Sequence, residues 1–161
     1  QRGERTLTAG MRIEGEALRT IGIDIEAMSL GGGAGGTTVD FVTPRVTVSL
    51  LQAMARRPDF AAFRDALPVL GVDGTLAKAV KPESVARGRV AAKTGTLAES
   101  SPLAGREYRR SKALAGYLDA KSGGRYALAI FVNNAPLRPG LTATDVGATL
   151  GHLCELLWAR L

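Results

Sequence analysis

The sequence predicts an α+β fold in which an antiparallel sheet is flanked by helices. Three observations lead to this class: apolar residues recur at helical spacing in the N-terminal third, strand-like runs fill the region from about 89 to 133, and a helical stripe closes the chain. Helices followed by a meander and a closing helix are typical of α+β domains. The 161 residues, 45% of them hydrophobic, are enough for a packed core.

Two helices are predicted in the N-terminal third. The first spans residues 6–21, where apolar side chains lie four and seven positions apart, and Gly22 ends it. The second begins at Thr43 and Pro44, because threonine is a good cap and proline favours the first helical position. It is expected to end near Arg57, since a proline follows.

The segments around the second helix are shorter. Residues 23–30 alternate loosely and predict a short strand, and the glycine run at 31–36 predicts a flexible loop. That run is not a phosphate-binding loop, because it continues into Thr37 where the motif needs Gly-Lys-Ser/Thr. Residues 59–67 predict a further short helix, and residues 71–76 are rich in turn residues.

Three strands are predicted next, at residues 89–97, 113–119 and 125–133. The last two are joined by a Lys-Ser-Gly-Gly turn, which indicates a hairpin. Residues 126–132 are apolar on both faces, which is typical of a central strand covered on both sides. Residues 99–110 are polar and contain a proline and a glycine, so we expect a long loop there.

The last apolar stripe predicts a C-terminal helix over residues 146–161. Cys154 belongs to that stripe and is expected to be a buried small hydrophobe. His152 and Glu155 share one helical face, but two ligands do not make a zinc site. His152 is the single histidine, so a Ser-His-Asp triad is excluded unless that residue serves it.

The positive charge is concentrated in one segment. The whole chain carries a formal charge of +6, and residues 77–112 hold nine Lys or Arg against three Glu, which accounts for all of it. Such a segment can attract nucleic acid, an anionic polymer or a small carboxylate, or it can be an ordinary solvated face. Nucleic-acid binding lacks support, because aromatic residues are only 5% of the chain and no basic-aromatic run occurs.

The chemically informative stretch is Lys93, Thr94, Gly95 and Thr96, at the end of the first predicted strand. A lysine supplies a positive charge, a threonine supplies a hydroxyl, and a glycine allows a substrate backbone to pair closely with the strand. The triplet Lys-Thr-Gly alone is weak evidence, but it lies in an ordered series of further motifs. These are Val-Thr-Pro at 42–44, Gly-Val-Asp-Gly-Thr-Leu at 71–76, Leu-Ala-Gly-Tyr at 114–117 and Val-Asn-Asn at 132–134.

This series resembles the C-terminal part of the class C low-molecular-mass penicillin-binding proteins, the D-alanyl-D-alanine carboxypeptidase/endopeptidase family. The resemblance covers residues 42–134. It implies that residues 1–161 are the C-terminal part of a serine DD-peptidase catalytic domain with a penicillin-binding or β-lactamase-like transpeptidase fold. The implied substrates are peptidoglycan stem peptides, and β-lactams would acylate the enzyme.

The resemblance also implies a role for each residue of the strand. Lys93 would be catalytic, orienting a serine of the family's S-x-N motif and helping proton transfer. The Thr94 hydroxyl would hold the terminal carboxylate, Gly95 would admit the substrate backbone, and the Thr96 N–H would form half of the oxyanion hole. No metal or organic cofactor is implied. The family works outside the cytoplasm, so a periplasmic or cell-wall location is expected.

Two departures from the family pattern are evident. None of the seven serines is followed three places on by lysine, and no S-x-N occurs, so the nucleophile is expected in an N-terminal part of the protein outside this chain. The family's Asp-Gly-Ser-Gly-Leu-Ser type loop is replaced by Gly-Gly-Ala-Gly-Gly-Thr at 32–37. This second departure leaves an alternative open, a non-catalytic wall-associated scaffold with a penicillin-binding fold, whose basic loop at residues 98–110 binds an anionic polymer or a partner protein.

Overall fold

The computed structural model describes residues 3, 5–103, 105–138 and 140–161, with the side chains of 106–109, 143 and 144 outside the description. The chain forms two compact units, Gln1–Arg56 and Arg57–Leu161. In the described part of the chain, no helix is long and apolar enough to cross a membrane.

The first unit contains two helices and a small two-stranded sheet. Helix α1 spans Leu7–Thr20 and helix α2 spans Pro44–Ala55, and in each a threonine side chain accepts a hydrogen bond at the N-terminus. In α2 this threonine is the predicted cap, Thr43. Strands β1 (Met28–Ser29) and β2 (Phe41–Val42) pair antiparallel. The short strand expected within 23–30 is therefore confirmed as β1, after a 3-10 turn. Ile23, Val46 and Ala53 form the core of this unit.

The glycine-rich loop is held in place by a carboxylate. Asp40 accepts hydrogen bonds from the backbone N–H groups of Gly31 and Thr37, each at 2.8 Å. These two bonds lower the pKa of Asp40. A Cβ at Gly31 would lie 2.4 Å from a Val39 methyl carbon, so any larger residue here would force the Val39 side chain to move.

The second unit is built on three long strands. Helix α3 spans Phe60–Asp65, strand β3 Val90–Ser101, strand β4 Arg106–Asp119, strand β5 Arg125–Pro136, and helix α4 Ala143–Arg160. The strands are antiparallel in the order β3-β4-β5. The predicted short helix, the three strands, the hairpin and the C-terminal helix are all confirmed.

The two faces of this sheet pack against different helices. Leu114 and Leu118 of β4 join Leu150 and Cys154 of α4 in the main core. Tyr117, whose side chain leaves the opposite face, stacks edge-on against Phe60 of α3 with ring centroids 5.0 Å apart. The expectation of an antiparallel sheet flanked by helices is thereby confirmed.

Two expectations about the strands are wrong. Residues 99–110 are mostly not a loop, because β3 and β4 continue their pairing to Ser101 and Arg106, with a bulge between Leu97 and Ala98. A solvated ladder needs only backbone partners, so its polar sequence carried no strand signal. Strand β5 is also not the central strand among the described residues, where β4 lies between β3 and β5. An apolar run in a strand indicates that both of its faces are buried. It does not indicate whether the strand has a hydrogen-bonded neighbour on each side.

An ionic cluster joins α3 to the end of the β4-β5 hairpin. Asp119 accepts hydrogen bonds from Arg64 and Arg125, each at 2.6 Å. The Arg125 guanidinium also lies 5.7 Å from the centroid of the Phe60 ring. Partial burial raises the pKa of Asp119, but the two arginines outweigh it and the net pKa is lowered.

Candidate active site

The Lys-Thr-Gly-Thr sequence lies on β3, which is an edge strand. The segment before it covers only the start of the outer edge, where Leu70 N–H donates to Val90 C=O and Ala92 N–H donates to Pro68 C=O, both at 2.9 Å. Beyond Ala92, no other described segment forms a backbone hydrogen bond with the outer edge of β3. The site therefore begins where the covering segment ends.

Strand geometry determines which backbone groups point outward. In an antiparallel strand the N–H and C=O of one residue point to the same side, and alternate residues point to opposite sides. Because Val90 and Ala92 bond outward, the backbone groups of Thr94 and Thr96 also face the open edge. Lys93 and Gly95 direct their backbone groups toward β4. An extended peptide can thus add to β3 at Thr94 and Thr96.

Lys93 is exposed on this edge. Its Nζ donates a hydrogen bond to the carbonyl oxygen of Thr94 at 2.7 Å. That carbonyl is one of the outward-facing groups, so the ammonium lies beside the position that an added strand would occupy. The structure therefore places the predicted catalytic lysine and the predicted strand-pairing groups together.

The hydroxyl of Thr94 is held by a residue that the sequence reasoning did not select. A hydrogen bond of 3.0 Å joins Thr94 Oγ1 and Thr75 Oγ1. Thr75 is the middle residue of one turn of 3-10 helix, Gly74–Leu76. Asp73 stabilises the preceding turn by accepting a hydrogen bond from the N–H of Val69 at 2.7 Å. The Asp-Gly-Thr-Leu motif was recognised in the sequence as a turn, and only the fold shows that its threonine meets the strand.

Thr96 has a charged neighbour on β4. Lys112 lies directly opposite Thr96 in the strand register, and its Nζ donates to Thr96 Oγ1 at 2.8 Å. Lys112 is only 9% exposed, whereas Thr96 is exposed. The sequence counted Lys112 only as part of the positive segment, because the register that joins it to Thr96 is a tertiary feature.

Gly95 has free space above it. A Cβ built there would meet only the Ala113 Cβ, at the ordinary contact distance of 3.7 Å, and its φ is not in the left-handed region. The fold therefore does not itself require glycine at this position. Glycine at position 95 would still be needed if the backbone of a bound peptide approached the strand closely there.

The single histidine does not form a nucleophilic triad. His152 Nδ1 lies 3.1 Å from Glu155 Oε2, and the Ser84 hydroxyl donates to the other oxygen of the same carboxylate. The carboxylate stands between serine and imidazole, so His152 is not bonded to the Ser84 hydroxyl as a base would be. The described residues also contain no cluster of three possible metal ligands.

Comparison with known proteins identifies the family of this chain. The model of the D-Ala-D-Ala carboxypeptidase 3 (S13) family matches residues 1–148. The chain belongs to this family. The resemblance seen in the sequence motifs is thereby confirmed.

Individual relatives agree with the family assignment. The chain is 35% identical over 108 residues to a D-alanyl-D-alanine carboxypeptidase from an Actinomadura species, covering 64% of this chain and 20% of the relative. Its fold is similar to penicillin binding protein 4 (dacB) from Haemophilus influenzae, with a TM-score of 0.73 and 23% identity over 96% of this chain and 32% of that one. It is also similar to a class A β-lactamase from Bacteroides cellulosilyticus, with a TM-score of 0.63 and 19% identity over 89% and 51%. The expected penicillin-binding and β-lactamase-like fold is confirmed, and the chain spans only about a fifth of its curated relative.

Proposed function

We propose that this chain supplies the Lys-Thr-Gly strand of a serine-type D-Ala-D-Ala carboxypeptidase or endopeptidase. The substrates are peptidoglycan stem peptides, and β-lactams acylate the same nucleophile. The observation that carries the proposal is the open outer edge of β3, where Thr94 and Thr96 direct their backbone groups outward beside the Lys93 ammonium. Membership of the S13 family supports the reaction class.

Residues 1–161 form the C-terminal part of one catalytic domain. The nucleophile belongs to another part of the protein, outside these residues. The absence of S-x-x-K from the sequence and the 20% coverage of the curated relative support this division. In the complete site, the serine hydroxyl attacks the carbonyl carbon of the D-Ala-D-Ala peptide bond, D-Ala leaves, and water then hydrolyses the acyl-enzyme. Neither a metal nor an organic cofactor is implied.

Each residue of the strand has a role in this proposal. Lys93 orients the serine of the S-x-N motif and assists proton transfer, and the Thr96 N–H contributes half of the oxyanion hole. Thr94 and Gly95 bind the substrate strand, Thr94 beside the terminal carboxylate and Gly95 by allowing close approach. The proposed location is the periplasm or the cell wall, where peptidoglycan lies.

The scaffold alternative is not favoured. It depended on a basic loop at residues 98–110, but this region is largely paired strand, and Arg110 forms an ion pair with Glu99 at 3.2 Å. The side chains of Arg106 and Arg109 lie outside the described residues. Family membership favours an enzyme instead.

A fluorescent penicillin tests the proposed function on the full-length protein that contains this chain. We expect covalent labelling of a serine outside residues 1–161, located by mass spectrometry, and no labelling of this chain alone. Replacing Lys93→Ala should slow acylation about a hundredfold, since loss of a positioned charge in an active site costs on the order of 3 kcal/mol. Lys121→Ala, in the β4-β5 turn, is the matched control and should acylate normally. Absence of labelling, or a label within this chain, would contradict the proposal.

A further inference from the structure

We propose that the part of β3 beyond Thr96 binds the backbone of the substrate at the third residue before the scissile bond, through the N–H and C=O groups of Ala98. The proposal rests on the function proposed above, which places the scissile carbonyl beside the Thr96 N–H. It adds a preference for length: a peptide that reaches Ala98 should be a better substrate than a D-Ala-D-Ala dipeptide.

Strand β3 stays regular beyond the Lys-Thr-Gly-Thr sequence. Leu97 pairs with Ser111 and Ala98 pairs with Arg109, so the extra residue of the bulge is Arg110 on β4. A bulge disrupts and bends the strand that carries the extra residue. Because β3 carries none, its backbone alternation continues through the bulge to the end of the strand.

This alternation places the backbone groups of Ala98 and Ser100 on the open side of β3. Thr94 and Thr96 face outward, and every second residue of a strand faces the same side. Ala98 and Ser100 are exposed, and no described segment outside the sheet forms a backbone hydrogen bond with either of them. The open edge from Thr94 to Ser100 is about 20 Å long at roughly 3.3 Å per residue, whereas an extended dipeptide covers only about 7 Å.

The distal edge lacks the features that usually protect an edge strand from pairing. Such features include prolines, charged side chains and bulges on the edge strand itself. Ala98 and Ser100 are small and uncharged, the bulge lies on β4, and the Glu99 carboxylate is paired with Arg110 of β4 at 3.2 Å. The distal edge is also continuous with the edge at Thr96, so one extended peptide can pair with both.

The proposed function sets the direction and register of that peptide. The terminal D-Ala lies beside Thr94 and the scissile carbonyl lies beside Thr96, so the preceding residues run toward Ala98, antiparallel to β3. In an antiparallel pair, residues two apart on one strand exchange hydrogen bonds with residues two apart on the other. The residue that contributes the scissile carbonyl pairs with Thr96, so the third residue before the scissile bond pairs with Ala98.

The ligand class is therefore an extended peptide recognised through its backbone. Strand addition derives affinity from main-chain hydrogen bonds and depends little on side chains. Ala98 donates one hydrogen bond through its N–H and accepts one through its C=O. Two such bonds should raise kcat/KM about tenfold.

Glycine peptides test this preference on the full-length protein. We expect acetyl-Gly-Gly-D-Ala-D-Ala to be cleaved with a kcat/KM about tenfold above that of acetyl-D-Ala-D-Ala. Replacing the first glycine by N-methylglycine removes the N–H that donates to the Ala98 carbonyl, and should abolish most of this gain. The two longer peptides differ by one methyl group, so length is matched.

A proline substitution tests the protein side of the same contact. Ala98→Pro removes an N–H that faces outward, which a sheet edge tolerates. It should lower kcat/KM for acetyl-Gly-Gly-D-Ala-D-Ala to about the value for acetyl-D-Ala-D-Ala. Ala98→Ser keeps the N–H and should retain the tenfold ratio. Ser100→Pro is the matched proline control, because this peptide ends before Ser100.

Four results would overturn the proposal. Equal kcat/KM for the dipeptide and the longer peptide would show that the distal edge does not bind substrate. A full gain with the N-methylglycine peptide, or in Ala98→Pro, would show that the gain does not come from Ala98. Protection of the Ala98 N–H from hydrogen exchange in the ligand-free full-length protein would show that another segment already covers this edge.

A binding measurement separates this proposal from the proposed function. If penicillin labels the protein but peptide length has no effect, the enzyme assignment stands and the distal edge is wrong. If the protein is neither labelled nor active on any peptide, the enzyme assignment fails, and fluorescence anisotropy of labelled Gly-Gly-D-Ala-D-Ala tests the edge alone. Binding weakened about tenfold by Ala98→Pro and by N-methylglycine would support the edge, and unchanged or absent binding would overturn it.

Discussion

Two glycines of the same sheet, Gly95 and Gly116, differ in whether the fold leaves space for a side chain. A Cβ at Gly95 finds open space, whereas a Cβ at Gly116 of β4 would lie 2.2 Å from the carbonyl oxygen of Ala91. Glycine at 116 is therefore needed for β3 and β4 to approach each other. Glycine at 95 has no such need within the fold, which agrees with the proposed close approach of a substrate backbone.

This difference predicts a separation of stability from activity. Gly95→Ala should leave the melting temperature of the full-length protein unchanged and slow acylation by penicillin about tenfold, since a small displacement of a bound substrate is costly in rate. Gly116→Ala should instead destabilise the protein by roughly 2 kcal/mol, because backbone must move to admit the methyl group. Thermal melting and penicillin labelling of both variants check this. A Gly95→Ala variant with normal acylation would show that substrate does not approach this position.

The ionic cluster around Asp119 predicts a pH dependence of stability. Its net pKa is lowered in the folded protein, so its contribution is present above the unfolded value of about 3.9 and is lost as pH falls through the folded pKa. Asp119→Asn should therefore cost about 1 kcal/mol at pH 7 and nothing once the wild-type carboxyl is protonated. Melting temperatures measured from pH 7 to pH 2.5 give the comparison.

Asp59 supplies the control for this prediction. It pairs with Arg57 through two hydrogen bonds, but both side chains are about half exposed. Solvent screens such a pair, so Asp59→Asn should have a smaller effect at every pH. Equal effects of the two substitutions would mean that the cluster does not stabilise the junction of α3 with the hairpin.

Part of the candidate site was predictable from the sequence and part was not. Lys93, Thr94, Gly95 and Thr96 are contiguous, so a local motif was enough to select them. Thr75 lies 19 positions and Lys112 lies 16 positions from the threonine that each contacts. Their roles depend on a turn packed beside β3 and on the β3-β4 register, and neither leaves a local pattern.

At the scale of elements, helix α4 combines a free glycine with a constrained one. A Cβ at Gly147 would meet nothing within 4 Å, while a Cβ at Gly151 would lie 2.0 Å from the carbonyl oxygen of Ala79. Gly147→Ala should stabilise the protein by about 0.5–1 kcal/mol, because alanine is the better helix former. Gly151→Ala gains the same propensity but must push α4 from the segment beneath it, which costs about 1–3 kcal/mol.

Thermal melting of these two variants measures the balance directly. The expected order of melting temperatures is Gly147→Ala above wild type, and wild type above Gly151→Ala. A Gly151→Ala variant as stable as Gly147→Ala would show that α4 is not closely packed against Ala79.

The elements themselves were largely predictable, for physical reasons that also explain the errors. Caps and prolines mark helix ends locally, so α1 and α2 were found within two residues of their observed bounds. The distal β3-β4 ladder was missed because its sequence is mostly polar and shows neither the alternation nor the apolar run that predicts a strand. Strand β2 was missed because two residues carry no periodicity.

At the scale of the whole molecule, the chain leaves much apolar surface uncovered. Leu7 and Phe41 are more than 60% exposed, and further exposed leucines lie on α4 and directly after it, namely Leu153, Leu156, Leu157 and Leu161. Exposed apolar area of this extent is typical of a surface that another part of the protein covers. The 20% coverage of the curated relative is consistent with such a part.

Residues 1–161 by themselves are therefore expected to bind a hydrophobic dye such as ANS under native conditions. The full-length protein should bind much less dye per molecule, because in the proposed larger domain its remaining residues would cover this surface. Fluorescence titration of both proteins at equal concentration provides the measurement. A dye-silent, cooperatively melting 161-residue chain would contradict the proposal that it is part of a larger domain.

The burial of Cys154 has a practical consequence. It is the one thiol of this sequence, it is fully enclosed between α4 and the sheet, and burial raises its pKa to about 11. A thiol reagent can modify it only when this core opens, so the rate of alkylation in native buffer reports the free energy of that opening. Because Gln1–Arg56 contains no cysteine, the rate describes the unit that carries the Lys-Thr-Gly strand alone. Alkylation of Cys154 therefore measures how often the core beside the candidate active site unfolds.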